Sequence, residues 1–175
     1  MILLKITDTK NFMNQLLIEK TFDQFLIVEA TISMASTYVI DGHLNKAFFS
    51  ENELNELKAT AALEGRIFSE KMQRFYEVKP LCLNIIKGKK TPASFKFTFC
   101  LSDENTEKFL KTSASVFSVN DIANLTLNIK YDGKDLFATT ATSLNIFSLD
   151  KSIDTAWDTM IKKFFTSNNI SFEEA

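Results

Sequence analysis

Strict alternation of apolar and polar residues in two segments constrains the fold of this chain more than any other feature. Residues 95–101 have an apolar side chain at every second position, and residues 125–131 repeat the same rhythm. A period of two places the apolar side chains on one side of a pleated strand. Asp132 and Gly133 follow the second segment and favour a hairpin turn, because both residue types tolerate positive φ. The pattern therefore predicts a sheet with one buried face.

Similar patterns extend over the rest of the chain. Further strands are predicted at residues 2–6, 25–34, 38–40, 44–49, 136–142 and 144–149. Helices are predicted after Asp8, Ser50 and Ser102, because each can cap the first turn of a helix. The order is strand, helix and three strands, then a helical middle, then the same series again and a closing helix. It predicts an α+β fold with two β-α-β-β-β pattern repeats.

We expect residues 1–175 to form a single compact domain. Its pattern repeats span about 1–49 and 94–149, its helical insertion about 50–90, and its closing amphipathic helix about 152–166. An apolar stripe that includes Trp157 predicts that the closing helix docks on the sheet.

The least regular segments leave alternatives open. Residues 66–76 fit a second helix of the insertion or a mobile excursion, and residues 81–87 fit a short helix or a strand. The polar tail, residues 168–175, is expected to fray.

The charge of the chain is nearly balanced overall but uneven along the sequence. Twenty Lys and Arg residues face 22 Asp and Glu residues, which gives a net charge of −2. This balance argues against a protein that coats nucleic acid or membrane with its whole surface. Residues 77–100, however, contain five Lys and one acidic residue.

The sequence favours a cytoplasmic protein. Residues 1–5 lack the charged and apolar regions of a signal peptide. No apolar run approaches the ~20 residues needed to span a bilayer, so we expect no membrane association. Cys82 and Cys100 are isolated from each other and from His43. They are interpreted as buried thiols of a reducing compartment, although a disulfide between them stays open.

The strongest functional candidate is the basic turn of residues 87–92, where Lys87, Lys89 and Lys90 flank Gly88. Ammonium groups around a flexible glycine can converge on phosphate oxygens while backbone amides approach them. The spacing does not match a Walker loop. The simpler interpretation is a solvated turn that happens to be basic.

A second candidate is a polar strand exit within residues 139–145. Thr140, Thr142, Ser143 and Asn145 would line a small-molecule pocket, or they would form the solvent face of a sheet rich in β-branched residues.

No residue pattern indicates catalysis. His43 is the only histidine and follows a predicted turn, so a surface position explains it better than acid–base chemistry. Asp150, Asp154 and Asp158 recur every four residues, which capping and a solvated helix face explain better than a cation site. We therefore assign no catalytic residue, no metal ligand and no cofactor.

Two stretches resemble a family of uncharacterised bacterial proteins. The first contains Val-Lys-Pro-Leu-Cys at 78–82 and Ile-Lys-Gly-Lys-Lys-Thr-Pro at 86–92. The second contains Thr-Ala-Thr-Ser-Leu-Asn at 140–145, Leu-Asp-Lys-Ser at 149–152 and Trp-Asp at 157–158. The resemblance runs over nearly the whole chain. Because the family has no assigned activity, it implies no catalytic residue and only marks these stretches for attention.

The order of elements also resembles the half-domain of DNA sliding clamps, and residues 132–143 are similar to the clamp hairpin with its small-residue exit. A fold does not determine a function. The helix after Ser102 also carries more acidic than basic residues, which argues against a literal DNA clamp.

The sequence is compatible with two functions. The first is a non-enzymatic interaction module, clamp-like in architecture, that binds a protein or a nucleic-acid or other phosphate-bearing partner. The alternative is a small enzyme or ligand-binding domain with a pocket near residues 139–145. Exposed edges of the predicted sheet also favour a homodimer.

Overall fold

The computed structural model describes residues 1–113 and 115–175, and its centre is a seven-stranded sheet in which every neighbouring pair is antiparallel. The strands are β1 (Leu3–Ile6), β2 (Leu26–Ser33), β3 (Thr37–Asp41), β4 (Ser94–Cys100), β5 (Ile122–Tyr131), β6 (Leu136–Leu144) and β7 (Phe172–Glu174). Their spatial order is β3-β2-β4-β5-β6-β1-β7. Strands from both halves of the sequence therefore share one sheet.

The described residues also form five α-helices: α1 (Thr9–Leu17), α2 (Glu51–Leu63), α3 (Phe75–Ile86), α4 (Asp103–Thr112) and α5 (Ser152–Ser167). The predicted caps form. The side chain of Asp8 accepts a hydrogen bond from the backbone N–H of Asn11 at 2.9 Å, and Ser50 forms a capping box with Glu53. These bonds satisfy amides that a helix start otherwise leaves without partners.

The main core lies between one face of the sheet and helices α1, α3, α4 and α5. The alternating apolar residues of β4 and β5 are buried there, as the period of two predicts. Trp157 of α5 is fully buried. Its indole N–H donates to the backbone oxygen of Thr126 on β5 at 2.9 Å. The α+β class is confirmed, and so is the docking of α5 on the sheet.

Neither of the two predicted third strands, at residues 44–49 and 144–149, forms. Residues 46–48 form a 3₁₀ turn, and Leu44 bonds through its N–H to the carbonyl of Lys71 at 2.9 Å. β6 ends at Leu144, since β5 and β1 already occupy both of its edges. The following loop instead exposes Phe147.

Two further expectations for the insertion and the tail are corrected. Residues 66–74 form no helix. They form an extended segment in which two isolated β-bridges pair Met72 with His43 and Arg74 with Leu26. Helix α3 begins at Phe75, so residues 81–86 are its later turns. The tail forms β7, because β1 offers it a free edge.

The two cysteines are buried and unpaired. Burial raises the pKa of the Cys82 thiol to about 11, and burial first, with Asp103 second, raises the pKa of the Cys100 thiol to about 12. The interpretation of both as ordinary buried thiols is confirmed, and no disulfide joins them.

Candidate functional site

A groove between α1 and the turn that joins α3 to β4 combines an apolar floor with a basic rim. We call it the basic groove; it is open along one side and has a volume of about 440 Å³. Its apolar lining is Met13, Leu17, Ile18, Leu83, Ile86, Pro92, Phe95 and Tyr131. Its lysines are Lys10, Lys87, Lys89 and Lys90.

Local sequence explains how the turn reaches this position. Helix α3 ends at Ile86, and Gly88 follows with φ +150°, a backbone conformation that L side chains rarely adopt. The turn is then tied to the sheet, because the N–H of Ala93 donates to the carbonyl of Ser33 at 2.9 Å. On its other side Gly133 packs so closely that an added Cβ would lie 2.8 Å from the Ala93 oxygen. The basic turn is thus held between the end of β2 and the β5–β6 hairpin.

The four lysines of the basic groove give it a positively charged rim. All four lysines are exposed, and none of them forms an ion pair within residues 1–113 and 115–175. Like charges gathered on one rim repel each other and create a local positive potential. The groove therefore favours an anion, and its floor favours a partner with apolar surface.

A larger cavity, of about 550 Å³, lies beside α4 but differs in its charges. Its three carboxylates belong to Asp103, Glu104 and Glu107. Each already pairs with a cation of the same chain: Lys71 at 3.4 Å, Arg74 at 3.2 Å and Lys111 at 2.7 Å, respectively. Since no net charge is left to attract a partner, the basic groove is the stronger candidate.

The four residues of the polar strand exit do not meet in one place. The hydroxyl of Thr140 donates to Asp158 and that of Thr142 donates to Asp154, so both bind α5. Ser143 follows Thr142 and therefore lies on the opposite face of β6. The amide of Asn145 donates to the carbonyl of Asn120 at 2.9 Å. These contacts hold β6 against α5 and hold Asn145 against the turn that precedes β5. The pocket near residues 139–145 stays a prediction.

The remaining polar candidates also have local partners. His43 Nδ1 lies 2.6 Å from Asp41 Oδ1, and both side chains are exposed. Hydrogen bonds from the backbone and then the side chain of His43 lower the pKa of Asp41. Asp150 accepts a hydrogen bond from the N–H of Ser152 at 2.7 Å, which lowers the pKa of Asp150. In the part of the chain that the structure describes, no cluster of His, Cys, Asp and Glu is suited to hold a metal ion.

Comparison with known proteins identifies the family to which the chain belongs. A family model described as a family of unknown function (DUF5721) matches residues 15–173, which include the basic turn but not Lys10. No curated protein and no solved structure matches this chain. The predicted resemblance to an uncharacterised family is confirmed, whereas the resemblance to sliding clamps stays a prediction.

Proposed function

We propose that this chain, which belongs to the DUF5721 family of unknown function, is a cytoplasmic, non-enzymatic interaction module. Its basic groove binds a phosphate-bearing partner. The observation that carries this proposal is a set of four lysines around an apolar floor, none of which has an ion-pair partner among the described residues. The net charge of the whole chain is −2, so this concentration of positive charge is local.

Lysine side chains suit a phosphate ligand. Each ammonium group offers three hydrogen-bond donors and a compact charge, and hydrogen bonds between charged groups are stronger than neutral ones. Lys89 and Lys90 are adjacent in sequence, and Lys10 approaches from α1. Cations from two separate elements can therefore contact one ligand.

Other features support a binding module over an enzyme. Neither cysteine lines the basic groove, and both thiols are buried and protonated at neutral pH. The residues of the alternative pocket, Thr140 and Thr142, already hold α5.

Two thiols without a disulfide suit a reducing cytoplasm. No helix within the described ranges has the length and apolarity that crossing a membrane requires.

Replacing Lys87, Lys89 and Lys90 together by alanine is expected to abolish binding of short nucleic acids and nucleotides. The parent should bind them with micromolar affinity at best, and affinity should fall steeply with salt because binding releases counterions. Melting should be nearly unchanged, since an exposed turn contributes little to stability. Fluorescence anisotropy with short DNA, short RNA and a nucleotide panel at two salt concentrations measures the effect.

The matched control replaces Lys108, Lys111 and Lys163 by alanine, which removes the same charge from exposed positions on α4 and α5. This control should bind as the parent does. If no probe binds the parent, or if the groove variant binds equally well, the lysines form only a solvated turn.

We also propose that the chain forms a homodimer through β3. This strand is at one end of the sheet, and its outer edge has no strand partner among the described residues. It exposes Tyr38 and Val39 and contains neither Pro nor Lys, the residues that commonly protect an edge. Pairing of β3 with its copy across a two-fold axis would extend the sheet.

Light scattering should give about twice the 19.9 kDa of one chain at micromolar concentrations. Val39→Lys should give the mass of one chain, because a charged side chain opposes edge pairing. A parent mass of one chain across this range would contradict the dimer.

A further inference from the structure

A second group of lysines lies on the sheet face opposite the main core. Lys96 of β4 and Lys130 of β5 are directly paired in register, and both are exposed. Neither forms an ion pair within the described parts of the chain. Like charges directly opposite each other destabilise a strand pair. The fold thus carries an unfavourable contact at this point that no ion pair among the described residues relieves.

This lysine pair adjoins the basic groove. Lys96 follows Phe95 and Lys130 precedes Tyr131, and both aromatic residues line the groove. Successive side chains of a strand point to opposite faces, so the lysines lie across the sheet from the groove wall. Lys134 lies in the hairpin turn that packs against Ala93. Positive charge therefore continues around this end of the sheet.

The accumulation is specific to this end. Ten of the twenty Lys and Arg residues form no ion pair within the described residues. Seven of these ten surround this end, namely Lys10, Lys87, Lys89, Lys90, Lys96, Lys130 and Lys134. The nearby carboxylates have other partners as well: Asp8 caps α1, Glu29 accepts from the Thr31 hydroxyl, Asp132 accepts from turn amides and also interacts with Lys130, and Asp135 pairs with Lys5.

We propose that the ligand is a single-stranded nucleic acid that runs from the basic groove around the end of the sheet to Lys96 and Lys130. This inference rests on the proposed function and deepens it. A nucleotide held in the groove is too small to reach the opposite face as well, whereas a repeating phosphate backbone supplies charge on both sides. Around Lys96 and Lys130 the sheet presents Thr98 and Asn128, and the partly exposed Phe137, paired in register with Lys130, offers an aromatic face to an unpaired base.

The apolar floor distinguishes a single strand from a duplex. Tyr131 stacks on Phe95 with ring centroids 5.2 Å apart, and Tyr131 is only partly buried. Unpaired bases can stack on aromatic and apolar side chains, and such stacking tolerates any sequence. The bases of a duplex are already stacked on each other and cannot enter the groove. We therefore expect little sequence preference.

The test compares the parent with the double variant Lys96→Thr/Lys130→Thr, because threonine suits a strand. Probes are a fluorescent 12-mer of uridine, the same length of thymidine, a duplex of 12 base pairs and a fluorescent ATP analogue. The variant should bind both single strands several-fold more weakly and the ATP analogue as the parent does. Its log–log salt slope should be shallower by about 1.4, since each phosphate contact on a single strand contributes about 0.7.

The control Lys108→Ala/Lys163→Ala removes the same charge elsewhere and should bind as the parent does. The threonine variant should melt no lower than the parent, because it relieves a like-charge pair. If this variant binds the 12-mers as the parent does while the groove variant does not, the inference is wrong and the groove function stands. If the groove variant also binds normally, or no probe binds, both proposals fail. Tighter binding of the duplex, or displacement of the 12-mer by an equal charge of polyglutamate, would also overturn the inference.

Discussion

Replacing Trp157 by alanine is expected to lower the free energy of unfolding by about 3–5 kcal/mol. The side chain is fully buried, and its ring meets that of Phe109 edge to face with centroids 5.8 Å apart. The substitution leaves a cavity between α5 and the sheet. It also leaves the Thr126 carbonyl without the indole donor that now lies 2.9 Å away. Urea unfolding monitored by circular dichroism measures the loss.

Phe147→Ala is the matched control, because this aromatic side chain is 91% exposed in the loop after β6. Its effect should stay within about 0.5 kcal/mol. A loss of less than about 1 kcal/mol for Trp157→Ala would contradict the observed packing of α5 on the sheet.

Replacing Arg74 by methionine is expected to cost about 3 kcal/mol, the lower end of the range for breaking a buried ion pair. The Arg74 side chain is only 3% exposed, and that of its partner Glu104 is 16% exposed. The guanidinium also donates to the carbonyls of Gln24 at 3.1 Å and Ile67 at 3.2 Å. Methionine keeps much of the volume but leaves these acceptors without a donor. The same urea experiment gives the magnitude.

A double-mutant cycle separates the ion pair from the other contacts of Arg74. Arg74→Met combined with Glu104→Gln should lower the free energy of unfolding by less than the sum of the two single changes. The second change removes the carboxylate charge that Arg74→Met leaves without its guanidinium partner. The exposed pair of Lys111 and Glu107 on α4 is the control, and Lys111→Met should cost less than about 0.5 kcal/mol. Equal losses of unfolding free energy for Arg74→Met and Lys111→Met would show that the buried pair does not stabilise the packing of residues 66–74.

Elements with strong local signals were predictable from sequence. The alternation in β4 and β5 and the apolar stripe of α5 each reflect a single buried face, which local periodicity reports directly. The capping residues Asp8, Ser50 and Ser102 were predictable for the same reason, because a cap bonds to amides three residues away.

The candidate site was predictable only in part. Lys87, Lys89 and Lys90 stand out as a local run, but Lys10 and Met13 of α1 join them only after folding. Likewise, no local signal shows that Thr140 and Thr142 face Asp158 and Asp154. Periodicity identifies polar positions on a strand, but it does not identify which of them a helix will cover.

The sequence by itself determined the α+β class, which face of β4, β5 and α5 is buried, and the position of the basic turn. These features depend on residues close together along the chain. The tertiary structure alone decided that residues 144–149 cannot form a strand and that residues 172–174 can. A strand needs a free edge, and which edges are free depends on pairings between distant segments, such as β1 with β6. The grouping of seven lysines at one end of the sheet, which have no ion pair within residues 1–113 and 115–175, has the same origin.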